Sequence, residues 1–152
     1  MADDAVQQLL DIEAIKQLKA RYCMAVARKD WESFFKLFHE DLEFVQPDGT
    51  THNPRSAFYT FHKKNLQDTD VWGVVPCTTP IITITGPDTA TGEWAMEDWH
   101  IYPGEGPHRG QHGWGHYNEN YIRTPEGWRF KRIQVTYHRF DPLEGGFGPG
   151  VQ

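Results

Sequence analysis

The chain has few of the features that mark proteins of charged polymers, membranes or metal clusters. Its 15 Lys and Arg are outnumbered by 21 Asp and Glu, for a formal charge of −6, and the basic residues form no stripe. Phosphate backbones are held by clustered cations, so no nucleic-acid partner is expected. Cys23 and Cys77 are the two cysteines and make no CxxC pair, so neither a disulfide scaffold nor a zinc knuckle is indicated. No apolar run approaches the ~20 residues of a membrane span. The opening MADDAVQQLL is acidic and lacks the basic and apolar stretches of a secretory signal. The expectation is a soluble, cytoplasmic protein without a membrane partner. A Walker loop, GxGxxG and GxSxG are all missing, which leaves nucleotide-dependent and serine-hydrolase chemistry unsupported.

Aromatic residues, by contrast, are abundant: six Trp, six Tyr and nine Phe among 152 residues. That density suits a deep apolar cavity, although a thick core would look similar. The length predicts one domain over residues 1–152, large enough for a core without staples. Its organised part spans about residues 8–140, and a glycine-rich tail, 141–152, is either loose or folded over a pocket mouth.

Steps of three and four between Ile12, Ile15, Leu18, Tyr22 and Ala25 predict one face of a long helix from about Asp4 to Arg28. Asp30 suits the N-cap of a short second helix carrying Trp31, Phe34, Phe35 and Phe38. Leu42 to Val45 reads as a strand, and Asn53-Pro54 opens a third helix to about Leu66. Four long strands follow: about Trp72–Thr85, Thr89–Tyr102, Gly113–Thr124 and Trp128–Phe140. Turns at Gly86-Pro87-Asp88 and Pro125-Glu126-Gly127 join them, with a Gly- and Pro-rich loop over Pro103–Gly110. Turn-length connections require antiparallel pairing.

This order resembles the SnoaL-like branch of the nuclear-transport-factor-2-like, or cystatin-like cone, superfamily. The resemblance rests on Arg21-Tyr22 with Asp30-Trp31, on the run Pro80 to Gly86 with Asp88-Thr89-Ala90, and on Trp94 to Asp98. It continues through Gly115-His116-Tyr117 and Gly127-Trp128-Arg129-Phe130. It implies an α+β cone, with three helices of the N-terminal half over the concave face of a highly curved, mainly antiparallel sheet. It also implies acid/base chemistry without a bound cofactor: dehydratases such as scytalone dehydratase, a bile-acid dehydratase, dehydrochlorinases, cyclases, isomerases and lyases of diaryl compounds share the fold. Eliminating members use an Asp late on the first helix and a His on the first long strand. By register these positions are Ala27 and Val75 here, so the usual dyad does not carry over. The family also places an aromatic at Phe44, facing the first helix.

Alternate residues of a strand share a face. Trp94 and Met96 therefore bring Asp98 and His100 into the cone. Tyr117, Glu119 and Tyr121 share one face, and Cys77 shares the parity of Val75. On the last strand, register against the dehydrochlorinase-like pattern turns Thr136 and His138 inward, with room for a bulge near Arg132. A carboxylate two residues from an imidazole on one face can orient and charge-stabilise it, as general acid/base work requires. The bland alternative is a structural pair. Tyr22 and Tyr117 are candidate donors to a substrate oxygen that becomes negative, and His138 is a candidate second base. Cys77 is read as a buried thiol. His108, His112 and His116 recur every four residues, but the glycines between them oppose a helix, so no metal site is assigned.

Two readings follow. The first is a cofactor-independent lyase or isomerase (dehydration, deformylation or a related elimination) for a bulky apolar, aromatic or polycyclic small molecule. Its catalytic candidates are His100, Asp98, Tyr22, Tyr117 and His138, and its substrate contacts Phe44, Val75, Cys77, Met96 and Thr136. The second is a non-catalytic binding or assembly module, favoured by Ala27 and Val75. Trp99 lies on the outer face of its strand, where an uncovered indole is costly, so a homodimer or homotrimer through that face is expected.

Overall fold

The computed structural model describes residues 1–104 and 108–144. The middle of the expected 103–110 loop and most of the expected tail lie outside the described residues. A 27-residue helix, α1 (Ala2–Arg28), is followed by a short α2 (Trp31–Phe35), the strands β1 (Phe38–Val45) and β2 (Thr51–His52), and α3 (Arg55–His62), which runs into a π-helical turn over Lys63–Gln67. Then come β3 (Trp72–Val74), β4 (Cys77–Ile84), β5 (Thr89–Ile101), β6 (His108–Thr124) and β7 (Gly127–Glu144). The sheet order is β2-β1-β7-β6-β5-β3, with β4 also paired to β5; β1 and β7 are parallel and every other pair is antiparallel. This is the expected α+β architecture: helices over a curved, mainly antiparallel sheet.

Helix α1 buries Ile15, Leu18, Tyr22, Ala25 and Val26 against the sheet. It stops at Lys29, whose left-handed backbone (φ 56°) lets its N–H bond back to the carbonyls of Ala25 and Val26. Asp30 then caps α2 by accepting from the Ser33 backbone N–H at 3.1 Å. Near its start, α1 is tied to the far ends of β6 and β7: buried Asp11 accepts from Arg123 Nη2 at 2.7 Å and from Trp128 Nε1 at 3.3 Å. The Arg123 guanidinium holds the Asp11 carboxyl below its ordinary pKa. Under the helices, Phe34, Phe38, Phe58 and Phe130 form a ring cluster, with Phe34 and Phe38 centroids 4.9 Å apart. Each such ring contributes roughly 1.5–3 kcal/mol by burial.

Several boundaries depart from the sequence reading: β6 begins at His108 rather than about Gly113, inside the expected loop, and β7 runs to Glu144, into the expected tail. Phe38 starts β1 rather than ending α2. Asn53 does not cap α3; its amide donates to the Leu42 carbonyl at 2.9 Å, and the helix begins after Pro54. The first long strand breaks into β3 and β4, and Thr79, at φ 48°, interrupts the alternation within β4.

Two bulges decide which face of β7 enters the cone. Opposite the neighbouring residues Asn120 and Tyr121, β7 supplies Arg132 and Phe130, so Lys131 is an extra residue. Opposite Trp114 and Gly115 it supplies Arg139 and Tyr137, so His138 is another. Beyond the first bulge, Ile133, Val135 and Tyr137 take the inner face, while Thr136 pairs with outward His116.

Candidate active site

Between α1, α3 and the concave face lies a cavity of about 180 Å³. Its apolar wall includes Val26, Phe34, Phe44, Phe58, Val75 and Val135; its polar side chains are Tyr22, Gln46, His62, Asp98, His100, Tyr117 and Tyr137. A wider groove between Lys36, Asp41, Arg55 and Tyr59 opens on the surface and is lined mainly by exposed side chains, so it offers no desolvated chemistry.

The structure brings Asp98 and His100 together with Tyr22 and Tyr117, as alternation along β5 and β6 requires. Asp98 is buried, and its Oδ2 accepts from the Tyr137 hydroxyl. Gln111 Nε2 stands 3.4 Å from that same oxygen and 3.3 Å from His100 Nδ1, while Tyr102 donates to Gln111 Oε1. A carboxylate oxygen only accepts, so the amide NH₂ must face it. His100 Nδ1, sharing that NH₂, is then an acceptor, and the neutral ring carries its proton on Nε2. Burial lowers the His100 pKa and Asp98 partly opposes this, so the imidazole is neutral at pH 7. Asp98 Oδ1 is buried without a hydrogen-bond partner.

Two glycines make room for this pair. A Cβ on Gly113, the cross-strand partner of Asp98, would overlap Asp98 Oδ1 and the Tyr137 ring. A Cβ on Gly73 would stand 2.7 Å from His100 Cδ2.

On the α1 side, the hydroxyls of Tyr22 and Tyr117 lie 3.3 Å apart. Burial raises both phenol pKa values, so both stay protonated. One hydroxyl donates to the other, which leaves one O–H of the pair for a ligand. Beneath them sits a buried ion pair: Lys19 Nζ is 2.5 Å from Glu119 Oε1 and 3.7 Å from the Tyr117 ring centroid. Glu119 Oε2 accepts from the Tyr121 hydroxyl, which accepts from Trp94 Nε1 at 2.9 Å. Glu119 and nearby charge hold Lys19 protonated against the cost of burial, raising its pKa.

The other sequence candidates divide. Phe44 and Val75 line the cavity. Met96 is buried in the core but is not among the lining residues; Cys77 turns toward the Cys23 thiol, which lowers the Cys23 pKa while its own is raised. Thr136 and His138 require correction: both lie outside the cavity, and His138, an exposed bulge residue, pairs with His116 on the outer face. The bulge at Lys131 had already reversed the parity on which their inward placement rested. It brings Tyr137 inward instead, a residue the alternation argument missed. His62 was missed too, although its i,i+4 spacing from buried Phe58 marks the inner face of α3.

These features define a cystatin-like cone with a largely apolar cavity that carries a few polar side chains. The match to the SnoaL-like domain covers residues 7–134, and the chain belongs to that family. Its fold is shared by the hexachlorocyclohexane dehydrochlorinase LinA type 2 (TM-score 0.83, 16% identity, 95% of this chain and 97% of that one). A scytalone dehydratase-like protein of Novosphingobium aromaticivorans gives TM-score 0.80 and 17% identity over 99% of this chain and 100% of that one. An NTF2-like protein with a cystatin-like fold from the same organism gives 0.67 and 24% over 90% and 88%. No helix among the described residues is long and apolar enough to cross a membrane.

Proposed function

We propose that the cavity catalyses a cofactor-independent acid/base reaction, an elimination or isomerisation, on a small apolar aromatic molecule. The observation that carries this reading is the buried Asp98 carboxylate. One of its oxygens is unpaired, and it stands beside a neutral imidazole in the same cavity as the Tyr22–Tyr117 hydroxyl pair. A carboxylate placed beside an imidazole can act as the base that takes a proton from carbon or a hydroxyl. The proton taken by Asp98 can pass to His100 Nδ1, 3.6 Å from Asp98 Oδ2, as Nε2 gives its own to the leaving group, and the free tyrosine O–H steadies the oxygen on which charge builds. Dehydrochlorinases and dehydratases on the same fold fit this reaction type. An apolar cavity of ~150 Å³ accepts benzene, so about 180 Å³ has room for at least one aromatic ring. The test is turnover of aromatic diols and hydroxyketones. Asp98→Asn and His100→Ala should each lower it by roughly two to four decades, and unchanged rates in both would remove the pair from the mechanism.

The second reading, a ligand carrier, is favoured by the apolar Ala27 and Val75 and would show tight binding of aromatics without turnover of any. We also propose a homodimer or homotrimer through the outer sheet face. There Trp99 stacks on His112 at 3.3 Å, Trp114 lies 3.6 Å from His112, and Arg139 covers Trp114.

A further inference from the structure

His62 has no place in the chemistry above, yet it is one of the most unusual residues of the cavity. It is 3% exposed, and its ring is packed among Trp31, Phe34, Phe35 and Phe58, with centroids 4.6, 5.0, 5.2 and 5.7 Å away. Its Nδ1 is buried without a hydrogen-bond partner. A buried polar atom left unpaired is destabilising, and a Phe or Leu at position 62 would avoid that cost while filling the same space. The imidazole also lines the cavity, opposite in chain terms to the strand-borne Asp98 and His100, since it is supplied by α3.

The geometry points to His62 as the group that recognises a hydroxyl on the ligand, and to a neutral hydroxyaromatic as the ligand class. A hydroxyl both donates and accepts, so it can pair with a ring nitrogen of His62 in either tautomer of the neutral imidazole. No Lys or Arg is among the lining residues, while Asp98 is, so a carboxylate or phosphate on the ligand would be buried without a counter-ion beside an existing negative charge. The Phe walls exclude a strongly hydrated ligand for the same reason. His62 therefore sets which ring enters and which end points toward α3, leaving the other end for Asp98, His100 and the tyrosine pair. This deepens the acid/base reading and rests on it only for what happens after binding.

Binding separates the two. Titration calorimetry with 4-methylphenol and with toluene, whose ring and methyl group match, reads the hydroxyl preference without any reaction. The wild-type protein should prefer 4-methylphenol by roughly tenfold or more, the range for a buried hydrogen bond and its unpaired alternative. His62→Phe should lose that preference and keep its affinity for toluene, and His62→Gln, which retains a donor and an acceptor, should recover part of it. The retained toluene affinity shows that the variant is folded. An equal hydroxyl preference in wild type and His62→Phe overturns the assignment, as does a wild-type protein with no preference. A preference that depends on His62 in a protein without turnover upholds the recognition role and refutes the catalytic reading alone.

Discussion

Lys19 and Glu119, one hundred residues apart, meet at 2.5 Å with both side chains sealed from solvent. The pair joins α1 to β6 directly beneath Tyr22 and Tyr117, so the helix that carries one hydroxyl is locked to the strand that carries the other. Two charges in an apolar interior tolerate each other only together. Removing one leaves its partner uncompensated, whereas replacing both with apolar groups can be neutral.

Lys19→Met and Glu119→Leu are therefore each expected to destabilise the protein by about 3–5 kcal/mol, and the double variant by much less than their sum. Urea denaturation of the four proteins gives the coupling directly, and additive losses would show that the pair does not act as a unit.

The stability of the protein should fall between pH 6.5 and 4. Burial holds the His62 pKa at about 4, against 6.5 for a free imidazole, and burial lowers that of His100 in the same direction. Below 6.5 the unfolded chain takes up protons that the folded one refuses, so acid favours unfolding through this window. His62 alone is worth on the order of 3 kcal/mol here, at 1.36 kcal/mol per unit. Asp11, whose pKa is lowered, loses its contribution only below the ordinary carboxylate range, outside this window. Denaturation midpoints measured across pH should show a slope that His62→Phe flattens.

Gly113→Ala should cost activity out of proportion to its size. The added methyl would overlap Asp98 Oδ1 and the Tyr137 ring, which strand pairing holds in place. Over-packing of this kind costs roughly 1–3 kcal/mol of stability. Gly92→Ala, whose Cβ would stand 2.6 Å from the Tyr121 hydroxyl, is the control. It should destabilise the Lys19–Glu119 network while leaving Asp98 and His100 undisturbed. Unchanged turnover in Gly113→Ala would argue against the Asp98 site.

Tyr22→Phe is expected to reduce kcat more than affinity, because its hydroxyl matters chiefly when charge builds on the substrate oxygen. A change confined to KM would assign Tyr22 to ground-state binding.

Light scattering at micromolar concentration should give two or three times the 17.6 kDa chain mass, and Trp99→Glu should return it to the monomer. A monomeric wild type would rule out assembly through the outer face.

The helix periodicity of Ile15, Leu18, Tyr22 and Ala25, the turn residues, and the alternation of Trp94, Met96, Asp98 and His100 are local properties, and local sterics and burial were enough to read the elements and one wall of the cavity from them, while the cone was implied by the family resemblance. The Lys19–Glu119 pair was half legible: position 19 falls on the apolar stripe of α1 and position 119 on the inner face of β6. Only packing, however, brings residues a hundred positions apart to 2.5 Å. Room for a bulge near Arg132 was legible, but its effect on the inner face of β7, and the second bulge at His138, belong to the tertiary structure. Extra residues at Lys131 and His138 arise because a long strand must bend around a curved sheet while keeping its ladder to β6. The bulge at Lys131 shifts the parity by one, so Tyr137 enters the cavity and Thr136 and His138 leave it, and the bulge at His138 shifts it again only for the residues beyond. His62 shows the same division: the sequence placed an imidazole four residues after Phe58, and the closing of α3 over the sheet made it the buried, unpaired atom of an apolar wall.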